Sequence, residues 1–153
     1  MLLKSLLILA LVALMVGGAG LGGCHGAQEV SLEELFAEPE HYDGKDIIIE
    51  GFYYGAFEVN VLAERLIYLG LQEGPIVPIG GLIWIEGSIG RATIDSLYWR
   101  PEDATYPTEI FGKIRIEGKF EYGEAYGHVG NYDYQITAVS TTALPWSPDE
   151  IPP

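Results

Sequence analysis

Between Lys113 and Tyr122 apolar and polar residues alternate, with Ile114, Ile116, Phe120 and Tyr122 set against Arg115, Glu117, Lys119 and Glu121. Successive side chains of a strand point to opposite faces, so this period of two predicts a strand with one buried and one wet face. Gly118 falls on the apolar side, where a missing side chain permits a sharp bend or coil. The pattern I-x-I-E-G occurs at Ile47–Gly51, Ile83–Gly87 and Ile114–Gly118, at uneven spacing that excludes a solenoid repeat. Three strands of one small barrel obey such a rule: two isoleucines face inward, glutamate faces water, and glycine lets the strand coil where the barrel closes. A ring of Glu50, Glu86 and Glu117 holding a cation is the alternative reading.

Other segments extend the pattern. Ser31 and Glu34 form a capping box, and Leu32, Leu35 and Phe36 give a narrow apolar helix face. Pro39 is expected to stop that helix, and Asp43-Gly44 to turn the chain into the first strand. That strand is expected from Lys45 through Tyr54, with Gly55 bending it into a second over Phe57 to Leu62, extending toward Tyr68. Gly70 to Gly81, with Pro75 and Pro78, reads as a loop. Leu82 to Gly87 is the third strand, and Ile94, Leu97 and Tyr98 have the spacing of a short helix. Pro101 to Pro107 connects, Gly123 to Gly130 reads as a glycine-rich turn, and Tyr132 to Val139 is the last strand. Pro145, Pro148, Pro152 and Pro153 exclude regular structure from the tail, which Trp146 pins to the domain.

The first residues read as an address. Lys4 is the only charge before Glu29, Leu6 to Val16 is unbroken apolar sequence, and small residues follow. That is a secretory signal peptide, with a run shorter than the ~20 residues of a spanning helix. Leu21-Gly22-Gly23-Cys24 resembles the bacterial lipobox, which implies diacylglycerol on Cys24 and cleavage before it. Cys24 is the chain's only cysteine, so an internal disulfide is excluded and a thiol stands where acylation needs one. The expected division is a leader over 1–23, a tether over 24–30, one barrel domain over 31–144 and a proline-rich tail over 145–153. The expected location is extracytoplasmic, held to a membrane by the lipid.

The order of elements (helix, three strands, short helix, two strands) is similar to the five-stranded oligonucleotide/oligosaccharide-binding (OB) Greek-key barrel, a mainly β fold with a short N-terminal helix and another between strands three and four. Ser31 to Leu35, Pro39 to Lys45 and Ile47 to Gly51 resemble the opening segments of a group of lipid-anchored OB-like proteins of bacteria and archaea. Ile83 to Gly87, Gly112 to Tyr122, Tyr126 to His128, Tyr132 to Ile136 and Leu144 to Pro148 resemble its other recurring segments. The resemblance implies the fold and the anchor, and no activity.

Charge narrows the partners. Asp and Glu number 22 against 8 Lys and Arg, for a net −14, and loss of the leader would also remove Lys4. This excludes a nucleic-acid partner, whose footprint is basic, and electrostatic docking on anionic lipid. Glycan, peptide or envelope-protein partners need no basic groove, and Tyr53, Tyr54, Tyr68, Trp84, Tyr98 and Trp99 are candidate stacking platforms. Catalysis lacks a nucleophile beside an oriented base, and no G-x-S-x-G, H-E-x-x-H or phosphate-binding glycine loop is present. Zinc would need His25, His41 and His128 to converge, and calcium would draw on Asp103, Asp133 or the acidic face. His128 and Tyr132 have the H-x-x-x-Y spacing of the haem chaperone of cytochrome c maturation, so haem, metal or small-ligand handling through His128, Tyr132 and Tyr126 competes with a binding or assembly module. No cofactor is expected on the main reading.

Overall fold

The computed structural model describes residues 26–70, 74–101 and 108–152. The expected leader, Cys24, His25 and Asp103 lie outside them. The described elements are β1 (Gln28–Glu29), α1 (Leu32–Ala37), α2 (Pro39–Tyr42), β2 (Asp46–Ala56), β3 (Val59–Tyr68), β4 (Ile76–Glu86), α3 (Arg91–Ile94), β5 (Tyr98–Arg100), β6 (Glu109–Tyr126) and β7 (Tyr132–Ala143). The fold is mainly β, and the seven described strands form one mixed sheet in the order β1-β2-β3-β4-β7-β6-β5. A further antiparallel pairing of β2 with β6 joins β2, β3, β4, β7 and β6 into a ring of five strands. Within that ring β4 and β7 run parallel, through Trp84–Gln135, Ile85–Ile136 and Glu86–Thr137, and the other contacts are antiparallel.

The thrice-repeated pattern builds the ring's interior. Ile47, Ile49, Ile83, Ile85, Ile114 and Ile116 are all buried in one cluster with Leu62, Phe120 and Ile136, while Glu50, Glu86 and Glu117 are exposed. Gly118 earns its place by close approach: a Cβ there would overlap the Thr137 carbonyl, at the irregularity in the β6–β7 register between Glu117 and Gly118. Tyr54, Val61, Leu66, Ile76, Phe111 and Ile151 form a second cluster, joined by Phe52, Trp84, Tyr132 and Trp146. Phe52 and Tyr54 have the opposite parity to Ile49 and Tyr53, so this cluster lies on the sheet's other face.

Several expectations are corrected. The α1 capping box forms, with Ser31 Oγ accepting from the Glu34 amide, and α1 ends at Ala37 ahead of Pro39 as expected; the addition is that Pro39 opens a short α2 at its first position, where its missing N–H costs nothing. Gly55 does not bend the chain, because it pairs with Asn60 on one side and Ile110 on the other; the turn is Phe57–Glu58. The expected loop over 70–81 is strand from Ile76. Pro78 is tolerated because its pairing is with Leu66 of β3 alone, as on an edge. The expected turn over 123–130 is strand as far as Tyr126, and β5 was not legible. Gln28–Glu29 pairs parallel with Ile47–Ile48 and Val30 is buried, so part of the expected tether belongs to the sheet. The tail holds a 3-10 turn at Pro148–Glu150 capped by Ser147. Trp146 does pin the tail, with its ring 5.5 Å from Phe52 and its carbonyl accepting from the Tyr98 hydroxyl. Among the described residues no helix is long and apolar enough to cross a membrane.

Candidate functional site

Two turns approach each other at the ring's edge. Phe57–Glu58 joins β2 to β3, and His128–Gly130 joins β6 to β7. His128 Nε2 lies 3.3 Å from Glu58 Oε2, which links the two turns whenever the imidazole is protonated. Both side chains are half exposed, so the pair contributes at most about 1 kcal/mol. Glu58 (φ 58°) and Val129 (φ 53°) have left-handed backbones, and Val129 is β-branched. Such conformations cost on the order of 1–3 kcal/mol and concentrate at functional sites. Beside them Phe57 is 76% and Val129 75% exposed.

Next to the first turn the ring opens into a cleft of about 650 Å³, lined by Tyr53, Gly55, Phe57, Asn60, Thr108 and Ile110 among others. Ligand pockets have this size and favour the mouths of barrels. Tyr53 belongs to the inner cluster and is 6% exposed. Its phenol reaches the mouth over Gly55, and burial pushes its pKa up to about 12. The raised pKa has a consequence. The folded state disfavours the phenolate, so stability is complete below pH 10 and falls as pH rises from about 10 to about 12. The loss is on the order of 2–3 kcal/mol, and urea unfolding at pH 9 and pH 12 should show it partly removed in Tyr53→Phe.

The residues singled out from sequence lie on one hairpin, with His128 in the turn between Tyr126 and Tyr132. Tyr132 packs against Trp84 with ring centroids 5.3 Å apart and the planes tilted, and burial raises its pKa. Tyr126 pairs with Tyr132 across the hairpin; burial, then the Glu124, Glu121 and Asp43 carboxylates, raise its pKa. Tyr126 lines an acidic cleft with Asp43, Glu121 and Glu124 that contains neither His128 nor Tyr132. Of the pair whose spacing suggests haem handling, His128 meets Glu58 and Tyr132 packs against Trp84. His41 packs edge-on against Tyr42. Glu50 pairs with Arg115, Glu86 accepts from Trp84 Nε1 and Glu117 from Ser140, so the three carboxylates are engaged separately. Among the described residues no group of three or more His, Cys, Asp or Glu is placed to hold a metal.

Sequence reasoning named Tyr53 as a platform but missed Phe57, Asn60 and Thr108. The available signal was Gly55 two positions after Tyr53, on the same face of the strand. It also missed Glu109, which is 3% exposed at the start of β6. Its Oε1 accepts from the Tyr54 hydroxyl at 2.8 Å, and its Oε2 lies 2.9 Å from Arg100 Nη1 without hydrogen-bond alignment. Of the other platform candidates, Tyr98 and Trp99 are exposed and Tyr54 is buried. No protein-family model matches the chain, and no curated protein or solved structure gives a significant match.

Proposed function

We propose that this chain is a lipid-anchored, extracytoplasmic binding module on an OB-type barrel, without catalysis of its own. The barrel reading is supported by the closed order β2-β3-β4-β7-β6, by the parallel β4–β7 contact and by α3 between the third and fourth ring strands. The binding reading is carried by one observation: two neighbouring turns with left-handed residues present exposed Phe57, at the rim of an open cleft, and exposed Val129. Exposed apolar groups held on a strained backbone cost stability and fit a contact surface. The anchor and the membership of the lipid-anchored OB-like group rest on the segments quoted above. The partner is an envelope protein, a peptide or a glycan, and not a nucleic acid.

A photo-crosslinking residue at Phe57 should capture an envelope component in living cells. The same residue at Val139, equally exposed on β7, should not; equal or absent capture at the two positions sinks the binding reading. For the anchor, labelled fatty acid should enter the wild-type protein and be lost in Cys24→Ala, which should leave the membrane fraction. Label retained in the variant, or absent from both, removes the lipid.

A further inference from the structure

The C-terminal tail lies on the body as a peptide lies on a receptor. On the sheet's outer face Tyr54, Phe111 and Tyr98 stand opposite one another across β2, β6 and β5, and Phe52 stands two residues along β2 on the same face. This aromatic strip is covered by the chain's own residues 145–151. We propose that the strip is a docking site for a proline-rich, aromatic-anchored segment of a partner protein, with the tail as its built-in competitor. The site stands apart from the ring's mouth and does not rest on the reading made there.

The way the tail is held carries the inference. β7 ends at Ala143, and the Leu144 amide makes a last bond to the Lys113 carbonyl at 2.9 Å. From there two side chains five residues apart anchor the segment. The Trp146 ring meets Phe52, Tyr98 and Phe111 edge-on, at 5.5, 5.7 and 6.3 Å, and the Trp146 carbonyl accepts from the Tyr98 hydroxyl at 2.9 Å. Ile151 is 3% exposed, in one cluster with Tyr54, Phe111, Leu66 and Ile76. Between the anchors the segment satisfies its own backbone: Ser147 Oγ accepts from the Asp149 amide, and the Glu150 and Ile151 amides donate to the Ser147 and Pro148 carbonyls. It can therefore leave as a unit without opening the sheet.

Its chemistry defines the occupant. Pro145-Trp146-Ser147-Pro148 reads P-x-x-P, with Pro152 beyond. Proline-rich segments dock on aromatic-lined surfaces because their fixed backbone has little freedom to lose. Tryptophan is among the residues that most often dominate such contacts. A second copy would bring the same anchors, but also a net −14 chain and the exposed Asp149 and Glu150 against an equally acidic body. Like charge opposes that encounter. A foreign segment with the same prolines and ring, and with basic residues in place of the two acids, keeps the contacts and gains attraction. The tethered tail acts at an effective concentration on the order of millimolar, so only a well-matched segment displaces it.

The experiment uses the full chain and fluorescence anisotropy of three synthetic peptides. They are residues 144–152 of the tail, the same sequence with Asp149→Lys and Glu150→Lys, and a scrambled control. Trp146→Ala loosens the tail in place, so the lysine-bearing peptide should bind that variant about 10-fold more tightly than the wild type. The scrambled peptide should bind neither. Adding Tyr98→Phe removes the hydroxyl that holds the anchor's carbonyl and should weaken binding about 3- to 10-fold; circular dichroism confirms that both variants are folded. Hydrogen exchange on the wild type needs no variant: the Glu150 and Ile151 amides should open at least about 100-fold more often than the Phe120 amide. Equal opening shows that the tail leaves only when the barrel unfolds, and overturns the proposal. A folded Trp146→Ala variant that binds neither tail-derived peptide, or binds the scrambled one as well, also overturns it. Tighter binding of the tail's own sequence than of the lysine-bearing one assigns the strip to a second copy and overturns the foreign partner.

Discussion

Phe120→Ala should lower the unfolding free energy by about 3–5 kcal/mol, read as a fall in the urea midpoint with an unchanged slope. Phe120 has no exposed surface and sits at the centre of the inner cluster, where β6 crosses from β2 to β7. Its ring stacks on Tyr134 at 6.2 Å, and its backbone accepts from Gly44 and donates to Lys45. Removing it leaves a cavity bounded by paired strands, and a sheet paired on both sides collapses poorly into a void. A loss below about 1.5 kcal/mol would show that the ring interior repacks, and that the isoleucine lattice around Phe120 is looser than its burial indicates.

Glu109→Ala should cost about 3 kcal/mol by a different mechanism. The variant leaves the Tyr54 hydroxyl without its acceptor and Arg100 without its counter-ion. Arg100 keeps its hydrogen bond to the Gly74 carbonyl and some access to water, which holds the loss below that of a fully buried pair. Glu109→Gln should lose less, because a carbonyl still accepts from Tyr54. The double replacement Glu109→Leu with Arg100→Met should recover most of the loss, since an apolar pair leaves no charge stranded. If the double variant is no more stable than Glu109→Ala, the penalty comes from lost packing and not from the uncompensated charge.

Burial pushes the Tyr54 phenol well up, reinforced by its hydrogen bond to Glu109. The pair acts as a strut between β2 and β6 through the Tyr54–Glu109 hydrogen bond. It differs in this from Tyr53, whose hydroxyl opens on the cleft. Adjacent residues of one strand thus do different work on opposite faces, as the pleat requires.

The local pattern in the sequence determined the ring's interior. I-x-I-E-G specifies its own solution, because period two leaves one face for isoleucine and one for glutamate, and all six isoleucines and three glutamates take those faces. The α1 capping box was equally legible, since its two hydrogen bonds lie within four residues. The charge balance and the candidate lipid-bearing cysteine are likewise properties of the chain alone. Where strands begin and end was decided by the partners. Part of a segment that read as a loop became β4 because β3 pairs residues 76–79, Pro78 included, along one edge, and Gly55 stayed in β2 because two strands hold it. The site is tertiary throughout: Phe57 and Thr108 share a mouth, and His128 reaches Glu58 across two turns, only because β2 closes on β6. Such contacts join residues far apart in the chain, and no periodicity along a single strand encodes which strands will meet.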